Sequence, residues 1–172
     1  ALTGGVDLVL ELPTVWAVSS AETFARGAVE LLAAAGAVDV LSFGSECGAA
    51  DRLRQVAACL NSPVYESGVR RFVDEGMPFA AARQEAVGVL LGEETAELLS
   101  TPNNNLGVEY IRALRALGSH IRPVTVQREG DPHGSLRQEG ARSRFLSATQ
   151  LRAFLKEERW EVGGQAVLGR QG

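Results

Sequence analysis

The chain has 172 residues, of which 45% are hydrophobic, and a formal net charge of -4. This composition is typical of a soluble globular protein with one core, and it argues against a nucleic-acid binder whose whole surface is basic, although a local basic patch is compatible with it. No apolar run is long enough to span a bilayer, no secretory signal is visible, and the two cysteines and two histidines lack the spacing of a disulfide framework or a zinc site. We therefore expect a cytoplasmic protein without membrane association and without a bound metal.

The first part of the chain has the pattern of an α/β protein. Residues 6–12 are almost continuously apolar, as in a central strand, and Pro13 ends the run. Ser19 and Glu22 have the spacing of a capping box and open an amphipathic helix that ends near Gly36. A second apolar run over residues 38–43 predicts another strand. A strand, a helix and a strand joined by short connections imply parallel pairing.

A polar loop with a glycine at each end follows the second predicted strand. Gly44 and Gly48 permit a close approach of the backbone or a positive φ, while Ser45 and Glu46 supply oxygen acceptors. Open α/β sheets bind ligands at the carboxyl ends of their strands. Taken alone, however, the loop is compatible with an ordinary turn between a strand and a helix.

A long helical stretch comes next. Apolar spacing and the breaks at Pro63 and Gly76 predict helices over residues 49–60, 64–75, 78–91 and 93–99. This stretch is too long for a minimal crossover, so we interpret it as an insertion over one end of the sheet. It would either shape a substrate pocket or cover an edge.

Polar residues then precede a helix and follow a third strand. Three asparagines, residues 103–105, suit a helix N-terminus, where they would act as a cap or help to bind a phosphate. Residues 122–128 predict a strand, and parallel pairing would place Arg128 at the same end of the sheet as Gly44. A guanidinium there would bind a phosphate through two hydrogen bonds or would simply be solvated.

The last part of the chain is rich in arginine. Ser147 and Gln150 have capping-box spacing, and Arg152 lies one turn inside the predicted helix, which suits either an anion site or a well-capped helix. A basic amphipathic surface helix explains the surrounding positive charge equally well. For the tail, residues 161–172, no element can be assigned, and we expect it to be disordered. The domain expected from these patterns covers residues 1–160.

Taken together, these motifs resemble those of the tRNA(Met) cytidine acetate ligase family, in the nucleotidylyltransferase superfamily. The turn at residues 147–152 is similar to the second signature of the superfamily, which contacts the triphosphate of ATP. The motifs that match in order are Gly5-Val-Asp-Leu-Val-Leu-Glu-Leu-Pro13, Phe24-Ala-Arg-Gly27, Phe43-Gly-Ser-Glu46, Pro102-Asn-Asn104, Leu106-Gly107, Arg128, Ser147-Ala-Thr149 and Arg152. Such an ordered set is far more specific than any one signature.

The resemblance implies a Rossmann-like parallel sheet, a helical insertion and an ATP-dependent ligase activity. ATP, with Mg, would activate acetate as acetyl-adenylate, and the acetyl group would pass to N4 of the wobble cytidine of elongator tRNA(Met). The residues that match ATP-binding positions are Gly44, Asn104, Arg128, Ser147, Thr149 and Arg152, with Ser45, Glu46 and Asn103 as further candidates. Catalysis would rest on positioning and cationic stabilisation, without a protein nucleophile.

The sequence departs from the family pattern in ways that limit these expectations. It lacks the first signature, Asn-Pro-x-His-x-Gly-His, so we expect a fragment without the first βα unit and assign no catalytic residue. The segment near His133 also departs from the family pattern, and its role stays open. Two alternatives are an adenylyltransferase acting on another small acid or phosphate ester and a catalytically inactive nucleotide-binding module. The oligomeric state stays unassigned.

Overall fold

The computed structural model describes residues 4–128 and the two residue pairs 161–162 and 165–166. The chain divides into two compact units, residues 1–128 and 129–172. The elements of the first unit are α1 (Thr14–Ala17), α2 (Ala21–Ala34), β1 (Val40–Ser45), α3 (Ala50–Leu60), α4 (Pro63–Asp74), α5 (Phe79–Leu91), α6 (Glu93–Ala96), a 3₁₀ helix (Glu97–Ser100), α7 (Pro102–Ala116) and β2 (Arg122–Gln127). In the second unit, β3 (Glu161–Val162) pairs antiparallel with β4 (Gln165–Ala166).

The sheet of the first unit consists of β1 and β2, which pair in parallel. Their register runs from Val40 opposite Arg122 to Ser45 opposite Gln127. The mixture of helices with a parallel strand pair confirms the predicted α/β fold. The strand predicted over residues 38–43 begins two residues later, at Val40, and continues through Gly44 into Ser45.

The predicted helical stretch lies between the two strands, and its helices begin and end close to the predicted residues. Helix α4 illustrates why, because Ser62 caps it by accepting a hydrogen bond from the Tyr65 amide at 3.2 Å, and Pro63 occupies its first turn. After α4, Gly76 takes a φ of +93°, which side chains disfavour, and so ends the helix sharply.

The main core lies among the helices of this stretch and α7. Its buried residues come from α3, α4, α5, α6, the 3₁₀ helix and α7, and the largest fully buried ones are Leu53, Val56, Val87, Val108 and Ile111. Helix α7 packs closely on β1 because it has no side chain at Gly107. A Cβ atom there would lie only 2.5 Å from Cε2 of Phe43. This close contact sets the position of α7 against the sheet.

Two sequence predictions near the N-terminus are wrong. Residues 6–12 form no strand, and Val6, Leu8, Val9 and Leu10 are 43–68% exposed. An apolar run becomes a central strand only where neighbouring strands complete its hydrogen-bond ladder. Within residues 4–128, β1 and β2 pair only with each other, so the run at residues 6–12 has no strand partner. The helix cap is Ser20 instead of Ser19. Its side chain accepts from the Thr23 amide, while the Ser19 hydroxyl donates to the Trp16 carbonyl.

Within the described residues, no helix combines the length and apolar character that crossing a bilayer requires.

Candidate nucleotide site at the carboxyl ends of β1 and β2

The carboxyl ends of β1 and β2 form a common edge of the sheet. The amide of Arg128, directly after β2, donates to the carbonyl of Ser45 at 2.9 Å. The loop from Ser45 to Gly48 and the side chain of Arg128 therefore lie at the same end of the sheet. The predicted placement of Arg128 beside Gly44 is confirmed.

Gly44 provides the surface over which Arg128 lies. A Cβ atom at Gly44 would be 3.0 Å from Cγ, 3.4 Å from Cδ and 3.6 Å from Nη1 of Arg128. The absence of a side chain thus lets the arginine stem pass directly over the strand. Since Arg128 is exposed, its guanidinium is accessible to an anion at this edge.

Ser45 has its hydroxyl in the interior, where it joins the loop to β2. The residue is fully buried, and its Oγ accepts hydrogen bonds from the Gly48 amide at 3.0 Å and from Oγ1 of Thr125 at 2.7 Å. Gly48 has a φ of +60°, which is one of the two uses of glycine that the loop pattern left open. Ser45 therefore stabilises the loop from inside the protein, and its hydroxyl is not exposed to solvent.

Glu46 reaches from the loop to the N-terminus of α7. Its Oε1 accepts from the backbone amide of Asn103 at 3.2 Å and from Nδ2 of Asn103 at 2.7 Å, while its Oε2 accepts from the amide of Asn104 at 2.7 Å. A carboxylate at this position also interacts favourably with the helix dipole. The cap expected from the asparagines is therefore supplied by Glu46.

The ionisation of Glu46 reflects these bonds. Partial burial acts to raise the pKa of the Glu46 carboxyl, but hydrogen bonds from the Asn103 side chain and from the backbone amides of Glu46, Asn103 and Asn104 outweigh it. The pKa is consequently lowered from its ordinary value of 4.5. Glu46 is thus an anion at neutral pH.

Asn104 completes the link in the other direction. Its side chain is buried, with Oδ1 accepting from the Cys47 amide at 3.1 Å and Nδ2 donating to Oγ1 of Thr101 at 2.6 Å. The side chain of Asn104, on the helix, therefore binds the backbone of the loop, while the side chain of Glu46, in the loop, binds the backbone of the helix. The predicted residues Gly44, Ser45, Glu46, Asn103, Asn104 and Arg128 are brought together by the fold.

Ser147, Thr149, Arg152 and His133 lie outside the described residues, so their predicted roles stay predictions. Thr125 was missed by sequence reasoning, because nothing in a strand pattern marks one threonine as the partner of a serine that lies 80 residues away along the chain.

A second polar centre, absent from the sequence predictions, lies around buried Glu109 of α7. Its carboxylate accepts from Nη2 of Arg83 at 2.7 Å and from Nη1 of Arg112 at 2.7 Å. Burial acts to lower the pKa of Arg83, but its bond to Tyr65 and the charge of Glu109 outweigh burial, and the pKa is raised. This network ties α7 to the helices of the insertion.

An open cavity of about 390 Å³ adjoins this network between α2 and α7. Glu22, Glu30 and Glu109 supply three carboxylates to its lining, against two guanidinium groups, those of Arg26 and Arg112. Arg112 lies roughly 12 Å along the helix axis from Asn104, at ~1.5 Å per residue. Because carboxylates outnumber guanidinium groups in its lining, this cavity is a poor match for a polyphosphate.

A family model described as HIGH nucleotidyl transferase matches residues 1–169. The chain belongs to this family. Curated relatives named tRNA(Met) cytidine acetate ligase include those of Caldanaerobacter subterraneus subsp. tengcongensis, 42% identical over 161 residues, and Clostridium novyi, 38% identical over 163 residues. The alignments cover 92% of this chain and 39% or 40% of the relatives, so the chain spans about two fifths of their length.

Two solved structures are similar to this chain in fold and sequence. The apo structure of Thermotoga maritima TmcAL superposes with a TM-score of 0.80 at 38% identity and covers 92% of this chain and 38% of that one. The TmcAL structure bound with alpha-thio ATP has a TM-score of 0.76 at 36% identity. This alignment covers 89% of this chain and 36% of the TmcAL chain. The predicted nucleotidylyltransferase fold and the resemblance to tRNA(Met) cytidine acetate ligases are thereby confirmed.

Proposed function

We propose that this chain forms most of the catalytic domain of a tRNA(Met) cytidine acetate ligase. The observation that carries the proposal is the similarity of 92% of the chain to relatives of that name at 36–42% identity. A similar structure that contains alpha-thio ATP supports ATP as the nucleotide. Acetate and elongator tRNA(Met) are the other proposed substrates.

The proposed reaction has two steps. A carboxylate oxygen of acetate attacks the α-phosphorus of ATP, which forms acetyl-adenylate and releases pyrophosphate. N4 of the wobble cytidine then attacks the acetyl carbonyl carbon, loses a proton and displaces AMP. Negative charge shifts onto the leaving pyrophosphate in the first step, so cations and fixed N–H groups near the phosphates would lower the barrier.

The edge formed by Gly44 and Arg128 is the proposed ATP site within the described residues. The exposed guanidinium of Arg128 would bind phosphate oxygens, and Gly44 leaves room for the arginine stem against the strand. Asn104 would act by holding the loop backbone, since both ends of its side-chain amide already have protein partners. Ser147, Thr149 and Arg152 would complete the phosphate contacts.

We further propose residues 1–160 as the part of the catalytic domain present in this chain and residues 161–172 as a tail. Mg bound with ATP and a cytoplasmic location stay predictions. For the catalytic groups, no residue of this chain is assigned.

The test uses the complete native protein with ATP, acetate and an elongator tRNA(Met) transcript. We expect acetate-dependent release of AMP and pyrophosphate, and one N4-acetylcytidine at the wobble position, measured by nucleoside mass spectrometry. A transcript with uridine at that position is the matched control and should receive no acetyl group.

Two results would contradict the proposal in different ways. ATP turnover with another carboxylate but not with acetate would indicate a different adenylyltransferase. ATP binding without turnover under any of these conditions would indicate a nucleotide-binding module.

A further inference from the structure

The loop after β1 and the start of α7 hold each other through reciprocal hydrogen bonds. Glu46 accepts three hydrogen bonds from Asn103 and Asn104, and Asn104 in turn accepts one from the Cys47 amide. The partners are 57 or 58 residues apart along the chain. We call this set of contacts, made by Glu46, Cys47, Asn103 and Asn104, the loop–helix clamp.

The clamp uses the first-turn amides that would otherwise attract an anion. The N-terminus of a helix favours phosphate because its first amides lack partners within the helix. Here the amides of Asn103 and Asn104 already donate to a carboxylate that is covalently part of the neighbouring loop. A phosphate binding at the same place would have to displace this carboxylate.

The surroundings of the loop favour a clamp that stays closed. On its other side, buried Ser45 is bonded to Gly48 and Thr125, and the Ser45 carbonyl accepts from the Arg128 amide. Displacing Glu46 would break three hydrogen bonds to an ionised group, which are stronger than those between neutral groups. The same loop carries the backbone that positions Arg128 over Gly44.

We propose that Glu46 is a positioning residue for ATP, which fixes the loop–helix clamp and contacts no substrate itself. Through the loop, it holds Gly44 and Arg128 in the arrangement that receives the phosphates. This inference rests on the proposed function, because it assumes that ATP binds at this edge of the sheet.

The experiment measures ATP affinity by calorimetry and steady-state kinetics in the complete protein for Glu46→Gln and Glu46→Ala. Both variants should bind ATP about tenfold more weakly, because an unclamped loop loses its preorganised geometry. The KM for ATP should rise while the KM for tRNA stays constant. Glu75→Gln is the matched control, since Glu75 is an exposed glutamate at the end of α4, and it should bind ATP like wild type.

A milder variant keeps the test valid if loss of the carboxylate impairs folding. Asn103→Ala removes one hydrogen bond to Glu46 but leaves the carboxylate and the backbone amides in place. It should weaken ATP binding about threefold, a smaller effect in the same direction.

The direction of the change decides between a clamp and a competitor. Tighter ATP binding by Glu46→Ala would mean that the carboxylate occupies the place of a phosphate, and unchanged binding would mean that the clamp is irrelevant to ATP. Either result would overturn the inference. Failure of the wild-type protein to bind ATP would instead refute the proposed function on which the inference rests.

Discussion

At the scale of single residues, Glu46 couples its ionisation to the start of α7. The pKa of its carboxyl is lowered in the folded protein, so the folded state favours the ionised form. The resulting stabilisation is fully present above the ordinary pKa of 4.5 and is lost as the pH falls through the lower folded-state value.

We therefore predict a pH-dependent difference in stability between wild type and Glu46→Gln. The free energy of unfolding of wild type should exceed that of the variant at pH 7, and the difference should shrink steadily below pH 4.5. Urea denaturation at a series of pH values measures it. A difference that is independent of pH would show that the charge of Glu46 does not stabilise the helix start.

Glu109 gives a second prediction at this scale, because it is a buried anion between two arginines. Glu109→Gln removes the buried carboxylate that pairs with two partly buried guanidinium groups. Arg83 then loses its ion pair, and Arg112 keeps only the exposed Glu22 at 3.8 Å, so we expect a loss of about 3 kcal/mol in the free energy of unfolding. Thermal and urea denaturation measure this loss.

The control for this prediction is an exposed ion pair. In the pair of Arg71 with Glu75, the side chains are 62% and 59% exposed, and exposed pairs contribute little to stability. Glu75→Gln should therefore unfold like wild type. If Glu109→Gln were as stable as Glu75→Gln, the buried network around Glu109 would not stabilise the fold.

At the scale of elements, the helical insertion could be predicted well from local signals. Pro63 and Gly76 mark helix boundaries because each restricts or frees the backbone regardless of the remaining fold. The strands depended on distant partners. The run at residues 6–12 is more apolar than β1 or β2 but lacks a paired neighbour within residues 4–128, and composition alone cannot supply one.

The loop between β1 and α3 gives a testable prediction at this scale. In Gly48→Ala, a Cβ atom would lie 2.6 Å from Cβ of Gln127, and the residue would also have to keep a φ of +60°. Strain at a positive φ typically costs about 1–2 kcal/mol, and the clash adds to it. Denaturation experiments should thus show a loss of more than about 2 kcal/mol.

Gly118→Ala separates the two contributions to this loss. Gly118 has a φ of +61°, but nothing lies within 4 Å of a Cβ atom placed there. Its substitution should cost only the backbone strain. If Gly48→Ala were no more destabilising than Gly118→Ala, the proposed close packing of the loop against β2 would be wrong.

At the scale of the whole molecule, the sequence predicted which residues the fold brings to one edge of the sheet but not the bonds among them. Parallel pairing was enough to predict that Gly44 and Arg128 share an edge, because parallel strands end on the same side of a sheet. The roles of Glu46 and Asn104 depend on atoms brought together across 57–58 residues, and no periodicity encodes such a meeting. Three of the candidate ligands, Ser45, Glu46 and Asn104, therefore make hydrogen bonds within the protein at this edge.

The central claim is that ATP binds at the edge where Arg128 lies. The most direct measurement is the ATP dissociation constant of the complete protein by calorimetry, for Arg128→Ala and for Arg122→Ala at the opposite end of the same strand. Both arginines are exposed, so the pair separates position from charge. We predict that Arg128→Ala weakens ATP binding about tenfold or more and that Arg122→Ala changes the affinity less than about twofold. Equal affinities for the two variants would contradict the placement of ATP at this edge.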